Sequence, residues 1–600
     1  MDHRDILTRF KNGDLGREQA AALLTGAAPG PAAGNVSLAT AGAGPRAAVS
    51  QPPPARALTT APAGGGLPAP VDGYAVTAVH GRFPDADGLD DFWHTAVPGG
   101  RDAGRRTECS LGGVDDFDAV FFGLTPEDVA LMDPRERILL EVLWQTLETA
   151  GCTGARLDTL TAADGEPRAV GVYVAHGPVG RAGAGLPARL SALLDLRGPG
   201  HCVGGGEASF LVALHQALSA LRAGECGAAL VGAADLRLDP SGRHPGRARH
   251  PGAGEGAGAV LLRPLAAARA AGDTVHAIVR ATAVAHPGRR AQEAAAAGLA
   301  RRTLAAAGVG EAGVALRETE VTAAATTGGT GAATGLAALV RAVLQLRHGT
   351  LLPAPGGSPA VPWERRYDES GRELPRRATV AVRPTTGSAA AHVLLEEPPR
   401  RGPGPGPVPA GPATVAAAEE LVLLSGPTPE HLAAMARRIA DRALPVDGAR
   451  SGGRDAAPDD RQELPALARE LRLGRAVRDC RLAVVVRDTG ELAAALRAFA
   501  HDPDRVETGG PGEGVRHADL RGARGPGVLS GDLPETRAYL AALWRGRRLD
   551  ALARLWLAGV DVTAADTAGA APVLPLPTSA LLPRPLRETG RPRTDEPAPS

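Results

Sequence analysis

Two stretches rich in proline and glycine divide this chain and limit which parts of it can fold. Residues 27–70 include Pro52-Pro53-Pro54 and Gly64-Gly65-Gly66, and residues 399–418 include an alternating run from Gly402 to Pro407. Such composition is typical of flexible, disordered linkers, because it offers few apolar side chains for a core. We therefore expect folded segments over residues 71–398 and 419–586.

The two ends of the chain carry different patterns. Residues 1–26 predict two short helices separated by a turn at Asn12-Gly13-Asp14. Such a pair cannot bury its apolar stripe alone, so it docks either on another polypeptide or on its own domain. Residues 587–600 predict a disordered tail.

Charge and composition exclude several classes of function. The 66 basic residues, of which only Lys11 is a lysine, balance 66 acidic residues. This balance argues against a nucleic-acid partner. No stretch of about 20 apolar residues occurs and the N-terminus is charged, so we expect neither a membrane span nor a signal peptide, and a cytoplasmic location. The chain is predicted to bind no metal, because its cysteines are scattered without a Cys-x-x-Cys pair: Cys109, Cys152, Cys202, Cys226 and Cys480.

The last third of the chain alternates between strand and helix patterns. It predicts strands over 421–425 and 482–486, and helices over 429–443, 465–473, 491–499, 535–544 and 549–557. This alternation indicates a small α/β subdomain within residues 419–586.

Within residues 71–398, a strand-turn-helix pattern spans Gly198 to His215 with the turn at Gly204-Gly205-Gly206-Glu207. Other motifs flank it in order: Tyr74 to Pro84, Phe121-Phe122-Gly123-Leu124, Met132 to Arg137, Gly254 to Leu262, Leu336 to Gly349 and Ala391 to Glu397. Together they resemble the ketosynthase (β-ketoacyl synthase) domain of modular polyketide synthases. Residues 419–586 are similar to the linker subdomain that follows such ketosynthases.

The resemblance locates the nucleophile position. The family carries its acyl-accepting cysteine in a turn that reads Asp-Thr-Ala-Cys-Ser-Ser-Ser-Leu, and in this chain Glu207 takes the place of that cysteine. A glutamate at a turn is usually a solvated surface residue. With the turn and helix intact around it, we expect Glu207 to point into a partly buried pocket at a helix N-terminus, where backbone amides favour negative charge.

The resemblance also locates two histidines that the family uses in decarboxylation and enolate stabilisation. One position falls on Gly329, within Thr326-Thr327-Gly328-Gly329-Thr330-Gly331, and the nearest match to the other is Ala324. Neither residue can transfer a proton. The stretches from Val174 to Leu186 and from Leu236 to Gly254 are also shorter than in the family, which predicts an incomplete acyl tunnel.

Other side chains near the turn offer little chemistry. We interpret Cys202 as a small buried core residue rather than a reactive thiol. His201, His215 and His392 occupy positions that resemble family positions of packing or backbone support. Segment Leu576-Pro577-Thr578 resembles the start of the family's strap, but Ser579-Ala580-Leu581 departs from it, so we expect that strap to be loose.

The resemblance implies a thiolase-like layered αβαβα fold with a small α/β linker subdomain. It implies partners in a polyketide pathway, namely acyl carrier proteins and other synthase subunits, and a homodimer or heterodimer. The chain shows no acyltransferase or carrier-protein motif, so we expect no cofactor of its own and a phosphopantetheine arm presented by a carrier protein in trans.

Three functions remain open from the sequence. The first is a condensation-incompetent ketosynthase homologue that binds carrier proteins as a structural or gating component. The second is a malonyl- or acyl-carrier-protein decarboxylase that uses Glu207, although an ionised carboxylate would repel a malonyl group by roughly 1 to 4 kcal/mol. The third is a decaying ketosynthase remnant.

Overall fold

The structure is a computed structural model. It describes residues 73–97, 110–176, 185–204, 206–238, 254–286, 292–353, 359–383, 389–399, 419–443, 460–503, 515–522, 533–565 and 573–585. All of them belong to the unit Ala69–Ser600. The predicted helix pair in 1–26, the linker 27–70, the tail 587–600 and nearly all of the linker 399–418 lie outside the described residues, so these boundaries stay predictions.

Residues 73–399, here called the layered region, contain the larger set of elements. In chain order these are β1 Tyr74–Arg82, α1 Leu89–Ala96, β2 Asp116–Phe117, α2 Pro126–Ala130, α3 Pro134–Thr149, β3 Val170–His176, α4 Leu186–Leu194, β4 Gly200–Gly204, α5 Ser209–Ala223, β5 Ala228–Asp235, β6 Gly256–Pro264, α6 Leu265–Ala271, β7 Ala277–Ala285, α7 Gln292–Ala306, β8 Leu316–Thr319, α8 Glu320–Thr327, α9 Thr334–His348, β9 Thr350–Leu351, β10 Val361–Pro362, β11 Arg366–Tyr367, β12 Glu373–Leu374, β13 Arg377–Val382 and β14 Ala390–Glu396.

A nine-stranded mixed sheet organises the layered region, in the order β4-β3-β5-β6-β1-β7-β14-β13-β8. Strand β1 joins the two halves of this sheet, because it pairs along its length with β6 but pairs with β7 only from Tyr74 to Val76. Helices α5 and α9 contact each other and lie between the halves, while α3 covers the first half and α7 the second. The result is five alternating layers of helix and strand, which confirms the predicted αβαβα arrangement.

The strands and central helices are apolar because both of their faces are covered. Helix α9 is buried over nearly its whole length, from Thr334 to Leu346. Its Leu, Val and Ala side chains form one continuous core with β1, β5 and α5. A chain poor in aromatic residues therefore builds its core from small aliphatic side chains.

The small subdomain, residues 419–565, follows the predicted alternation. Its elements are β15 Glu420–Gly426, α10 Pro429–Ala443, α11 Asp460–Gly474, β16 Cys480–Val486, α12 Thr489–His501, β17 Arg516–Asp519, α13 Pro534–Arg545 and α14 Leu549–Leu557. The antiparallel sheet β15-β16-β17 separates two cores. Every helix and strand predicted for this third of the chain is confirmed, with ends that differ by a few residues.

The strap, defined here as residues 573–585, is firmly held, so the expectation of a loose strap is wrong for these residues. Ser579 donates its backbone N–H and its hydroxyl to the buried Glu148, at 2.6 and 2.5 Å. Leu582 donates its N–H to Asp118 at 2.6 Å. The short strand β18, Arg584–Pro585, pairs with β2. Local sequence missed these contacts because their acceptors lie more than 400 residues away in the chain.

The small subdomain is joined to the layered region by buried charge. Arg156 makes two parallel hydrogen bonds to Glu470, at 2.7 and 2.9 Å. Such bidentate pairs are geometrically specific. The guanidinium of Arg478 also lies 5.0 Å from the ring centroid of Trp144. The two regions therefore meet through fixed polar contacts.

Candidate functional site

The candidate site begins at the turn between β4 and α5. Strand β4 runs parallel to β3, so its carboxyl end faces the same edge of the sheet. Gly206 adopts a φ of 95°, a left-handed conformation that glycine tolerates. Its carbonyl accepts hydrogen bonds from the N–H and hydroxyl of Ser209, at 3.1 and 2.6 Å. Glu207 therefore lies within a sharp turn directly before helix α5.

Glu207 is half-buried, as the sequence predicted. Burial, and secondarily the nearby carboxylate of Glu320, raise the pKa of Glu207 above its ordinary value. Both effects disfavour the ionised carboxylate: burial because it removes solvating water, and Glu320 because it carries a like charge.

The positions predicted for the lost histidines lie on one short segment. Helix α8 begins at Glu320, carries Ala324 and ends at Thr327. Gly329 follows, and its carbonyl accepts the N–H of Gly254 at 2.9 Å. The next turn, residues 331–333, contacts β3, β5 and α5. The segment around Gly329 thus reaches the helix that Glu207 precedes, at the carboxyl ends of parallel strands, where ligands bind in open α/β sheets.

A glycine and a carboxylate fix this turn against the sheet. Asp235, at the end of β5, accepts the N–H of Ala332 at 2.8 Å. Gly331 has a φ of 47°, and a Cβ atom at that position would collide with the Asp235 carboxylate. Burial raises the pKa of Asp235. The turn beside the site is therefore rigid and needs glycine at position 331.

Behind the site, a buried ion pair joins β8 to α9, and threonines of α8 are hydrogen-bonded to both members of the pair. Arg341 donates from Nε to Glu318 at 3.1 Å, and both side chains are nearly inaccessible to solvent. Gln345 and Thr322 each donate to the same carboxylate at 2.5 Å. Arg341 also bonds the hydroxyl of Thr326. The scaffold that presents Ala324 and Gly329 is thus held by a satisfied polar network.

His176 is a functional candidate that the sequence analysis missed. It is the last residue of β3, and its Cα pairs with Gly204 of β4 and with Ala234 of β5. This places an imidazole-bearing residue at the same edge of the sheet as the turn of Glu207. The signal in the sequence was its position at the end of an apolar strand, although its importance required knowing that β3 and β4 are parallel neighbours.

The remaining candidates lie in structural positions. His215 hydrogen-bonds Thr282 at 2.7 Å, and His392 is buried in β14. His201 stacks on Tyr173 with ring centroids 5.5 Å apart. Cys202 is exposed, so the interpretation as a buried core residue is wrong. The physical reason is that β4 is the edge strand of the sheet, a fact that local sequence does not reveal.

An arginine-lined groove of about 980 Å³ lies at the opposite end of α9 from Gly329. Arg269, Arg347 and Arg376 line it, together with His348. Glu397, also on its wall, forms ion pairs with Arg365 and Arg376. Because α9 is about 22 Å long, the groove is remote from Glu207. Its chemistry suits binding of an anion rather than action at the turn.

Two further properties concern only the part of the chain that the structure describes. There, no group of three or more His, Cys, Asp or Glu side chains is arranged to hold a metal ion. Within the same ranges, no helix is long and apolar enough to span a membrane.

Comparison with known proteins shows which protein family the layered region is similar to. Residues 74–250 match the family model of the β-ketoacyl synthase N-terminal domain. The chain is 30% identical over 569 residues to the spectinabilin polyketide synthase system protein NorC of Streptomyces orinoci, covering 81% of this chain and 23% of that protein. It is 31% identical over 572 residues to erythronolide synthase EryA3 of Saccharopolyspora erythraea, covering 78% of this chain and 17% of that protein. The chain thus spans about a quarter or less of these relatives.

Solved structures agree with the sequence relatives. The oxazolomycin ketosynthase domain OzmH KS7 of Streptomyces albus JA3453 matches with a TM-score of 0.63 and 26% identity, over 86% of this chain and 98% of the solved chain. The ketosynthase from module 6 of the bacillaene synthase of Bacillus subtilis 168 shares the fold, with a TM-score of 0.64 and 21% identity, over 86% of this chain and 99% of that one. This protein contains a ketosynthase-like domain of the kind found in modular polyketide synthases.

Proposed function

We propose that this chain is a condensation-incompetent ketosynthase homologue that binds acyl carrier proteins or sibling synthase subunits as a structural or gating component. The observation that carries the proposal is Glu207, a half-buried carboxylate in the turn before α5, where the family has its thiol. A carboxylate there does not form the thioester on which condensation depends. Ala324 and Gly329 add no proton-transfer group.

The preserved scaffold supports a role in binding. The Glu318–Arg341 pair and the contact of Asp235 with Ala332 keep the segment around Gly329 in place although its reactive groups differ from the family's. Such ordering is useful for presenting a surface to another protein. A gating component needs a fixed shape but no nucleophile.

The arginine-lined groove supports a carrier protein as partner. A phosphopantetheine arm carries a phosphodiester, and guanidinium groups bind phosphate oxygens with paired, charge-assisted hydrogen bonds. Arg269 and Arg347 lie on the groove wall. A carrier protein docked there would be attracted electrostatically, and the attraction would weaken at high salt.

The exposed edge of the nine-stranded sheet supports a second subunit as partner. Among the strands that the structure describes, β4 ends the sheet, and its residues His201 and Cys202 are exposed. An edge strand leaves one row of backbone N–H and C=O groups available for pairing with another chain. Either a second copy or a related subunit could use it.

The test of the proposal is acyl transfer followed by intact-mass spectrometry. The chain is incubated with acyl- and malonyl-loaded carrier proteins, and its mass is expected to stay unchanged. The variant Glu207→Cys is the matched control, because a restored thiol should gain the acyl mass if carriers dock and the pocket is open. An acyl adduct on the unaltered chain would contradict the proposal.

A decarboxylase is the alternative, and two observations favour it. The raised pKa of Glu207 lessens its repulsion of a malonyl carboxylate, and His176 supplies an imidazole at the same edge of the sheet. Carbon dioxide release from malonyl-carrier protein, abolished by Glu207→Ala and reduced by His176→Ala, would establish this function. Release no greater than that of the carrier protein alone would remove it.

A further inference from the structure

A small cavity lies where the layered region, the small subdomain and the strap meet. Its volume is about 30 Å³. Its lining includes Trp144 and Glu148 from the layered region, Trp556 from the small subdomain, and Ser579 and Ala580 from the strap. Because a cavity needs about 10 to 15 Å³ to hold one water molecule, this one has room for about two waters or one small ion. Any occupant would contact all three parts of the molecule.

Two of the lining side chains carry donors that lack an acceptor. Trp144 and Trp556 are each 2% exposed, and both line the cavity. Within the described residues, the indole N–H of each is buried without a hydrogen-bond partner. Folded proteins rarely leave a buried N–H unpaired. An occupant of the cavity that accepts hydrogen bonds would satisfy both donors.

Positive charge prevails in the lining of the cavity. Arg472, Arg475 and Arg478 line it, whereas Glu148 is the one acidic side chain among the described residues that do so. Glu148 is already engaged, because it pairs with Arg475 at 2.6 Å and accepts two hydrogen bonds from Ser579. The lining therefore offsets one of its three guanidinium charges.

Arg478 is the cation whose charge is least compensated. Its guanidinium lies 5.2 Å from the ring centroid of Phe121 and 5.0 Å from that of Trp144. Aromatic faces attract a cation, but they do not neutralise it. Burial lowers the pKa of Arg478, although Glu148 and Asp479 act in the opposite sense. In the described part of the chain no carboxylate forms an ion pair with this guanidinium, so a negative occupant of the cavity would be stabilised by it.

The other polar groups in the lining bring no negative charge into the cavity. Arg472 donates a hydrogen bond to the carbonyl oxygen of Leu421 at 2.8 Å. The ring nitrogens of His431 lie 2.8 Å from Asp118 and 2.8 Å from Thr428. The carboxylate of Asp118 therefore contacts the imidazole and is not itself part of the lining. These contacts leave the positive charge of the lining in excess.

An anion suits this lining better than water does. A water molecule that accepts from both indoles must still donate its own protons, and the Glu148 carboxylate already accepts three contacts. An anion only accepts, and it is attracted by the guanidinium groups. The space of about two waters excludes a tetrahedral oxyanion such as phosphate, which has five heavy atoms.

We propose that this cavity binds one small monovalent inorganic anion, such as chloride, which joins the strap and the small subdomain to the layered region. The bound anion accepts the indole N–H groups of Trp144 and Trp556 and offsets the charge of Arg478. Because Ser579 and Ala580 form part of the wall, opening of the strap exposes the cavity and releases the anion.

The proposal has a quantitative consequence for the strap. A ligand that binds only the closed state makes opening rarer by the factor 1 + [L]/Kd. Chloride should therefore protect the strap in proportion to its concentration. Glu207 takes no part in this site, so the result is independent of the acyl-transfer test.

The test measures hydrogen exchange of the peptide amides over 576–585 in the full chain by mass spectrometry. Chain dialysed free of chloride is kept at constant ionic strength while sodium chloride replaces sodium gluconate, whose anion is too large for the cavity. Protection of the strap should rise about elevenfold when chloride reaches ten times its Kd, and bromide should act in the same way. Equal protection in chloride and gluconate would show that water alone fills the cavity and would overturn the proposal.

Two variants locate the anion. Trp556→Phe keeps an aromatic ring but removes the N–H, and Arg478→Met removes the charge but keeps an unbranched side chain. Each should raise the Kd for chloride about tenfold or more, the effect expected from losing one hydrogen bond or contact to a charged group. Trp363→Phe, at a tryptophan that is 4% exposed and outside the lining, is the matched control and should leave this Kd unchanged.

The ratio of protection in the two salts separates anion binding from a general loss of stability, because a destabilised variant loses protection in both salts. If either variant fails to fold, the other decides. A Kd that neither Trp556→Phe nor Arg478→Met alters would place the anion elsewhere and refute this site.

Discussion

Removing the buried guanidinium of Arg341 tests whether the scaffold behind the candidate site is held by charge. In the variant Arg341→Met the Glu318 carboxylate, which is 2% exposed, keeps its hydrogen bonds from Gln345 and Thr322 but loses its counter-charge. Breaking a buried ion pair by deleting one partner costs about 3 to 5 kcal/mol. The two remaining donors place the expected loss near the lower end, at about 3 kcal/mol.

The matched control is an exposed ion pair at the start of α8. Arg383 pairs with Glu320, the first residue of α8, at 3.6 Å, but its side chain is 53% exposed. Arg383→Met removes the same charge from a solvated pair and should cost less than about 1 kcal/mol. The measurement is the free energy of unfolding from denaturant titration, together with hydrogen exchange over residues 320–327.

The double variant Glu318→Leu/Arg341→Leu completes the comparison. Replacing both partners of a buried pair by apolar residues is often neutral, so it should recover most of the stability lost in Arg341→Met. If Arg341→Met costs no more than Arg383→Met, the argument that buried charge braces α8 is refuted.

Three further predictions follow from single contacts. Gly331→Ala should lower the free energy of unfolding, measured by denaturant titration, by about 1 to 3 kcal/mol, because the backbone there has a positive φ and the new Cβ would meet Asp235. The control Gly308→Ala, at a φ of 65° with open space around it, should show only the smaller conformational cost in the same titration. Ser579→Ala should cost about 1 kcal/mol and speed proteolytic cleavage of the strap, and unchanged cleavage would show that the Ser579–Glu148 bond does not hold it. Burial lowers the pKa of His392 to about 4. Its neutral form therefore stabilises the fold above the ordinary histidine pKa of about 6.5, and this stability should be lost as pH falls from about 6.5 to 4. Thermal unfolding followed across that pH range should show a smaller loss in His392→Leu than in the unaltered chain.

Local sequence predicted the elements of this protein well, as the small subdomain shows. Its strands and helices are marked by apolar periodicity, which depends only on neighbours in the chain. The turn before α5 was equally predictable, because its glycines and the helix that follows are contiguous in sequence. Glu207 was accordingly predicted to be half-buried, and it is.

The residues that the sequence analysis predicted wrongly or missed are those whose surroundings depend on strands distant in the chain. Within the described residues, β4 has a neighbouring strand on one side only, and Cys202 on it is exposed. His176 lies at the same edge of the sheet as the turn of Glu207 because β3 runs parallel to β4. The pKa of Glu207 also depends on Glu320, which lies more than 100 residues away in the sequence. Strand order and register create these relations, and no local pattern encodes them.

By itself, the sequence determined where strands and helices form and which family the chain resembles, since both are properties of contiguous residues. That Glu207 takes the place of the family's cysteine stays a prediction. Only the tertiary structure decided that the strap is held, that Asp118 and His431 meet, and that Arg341 is paired in the core. Each of these contacts joins groups far apart in the chain, and the free energy of a buried charge depends on what surrounds it in space.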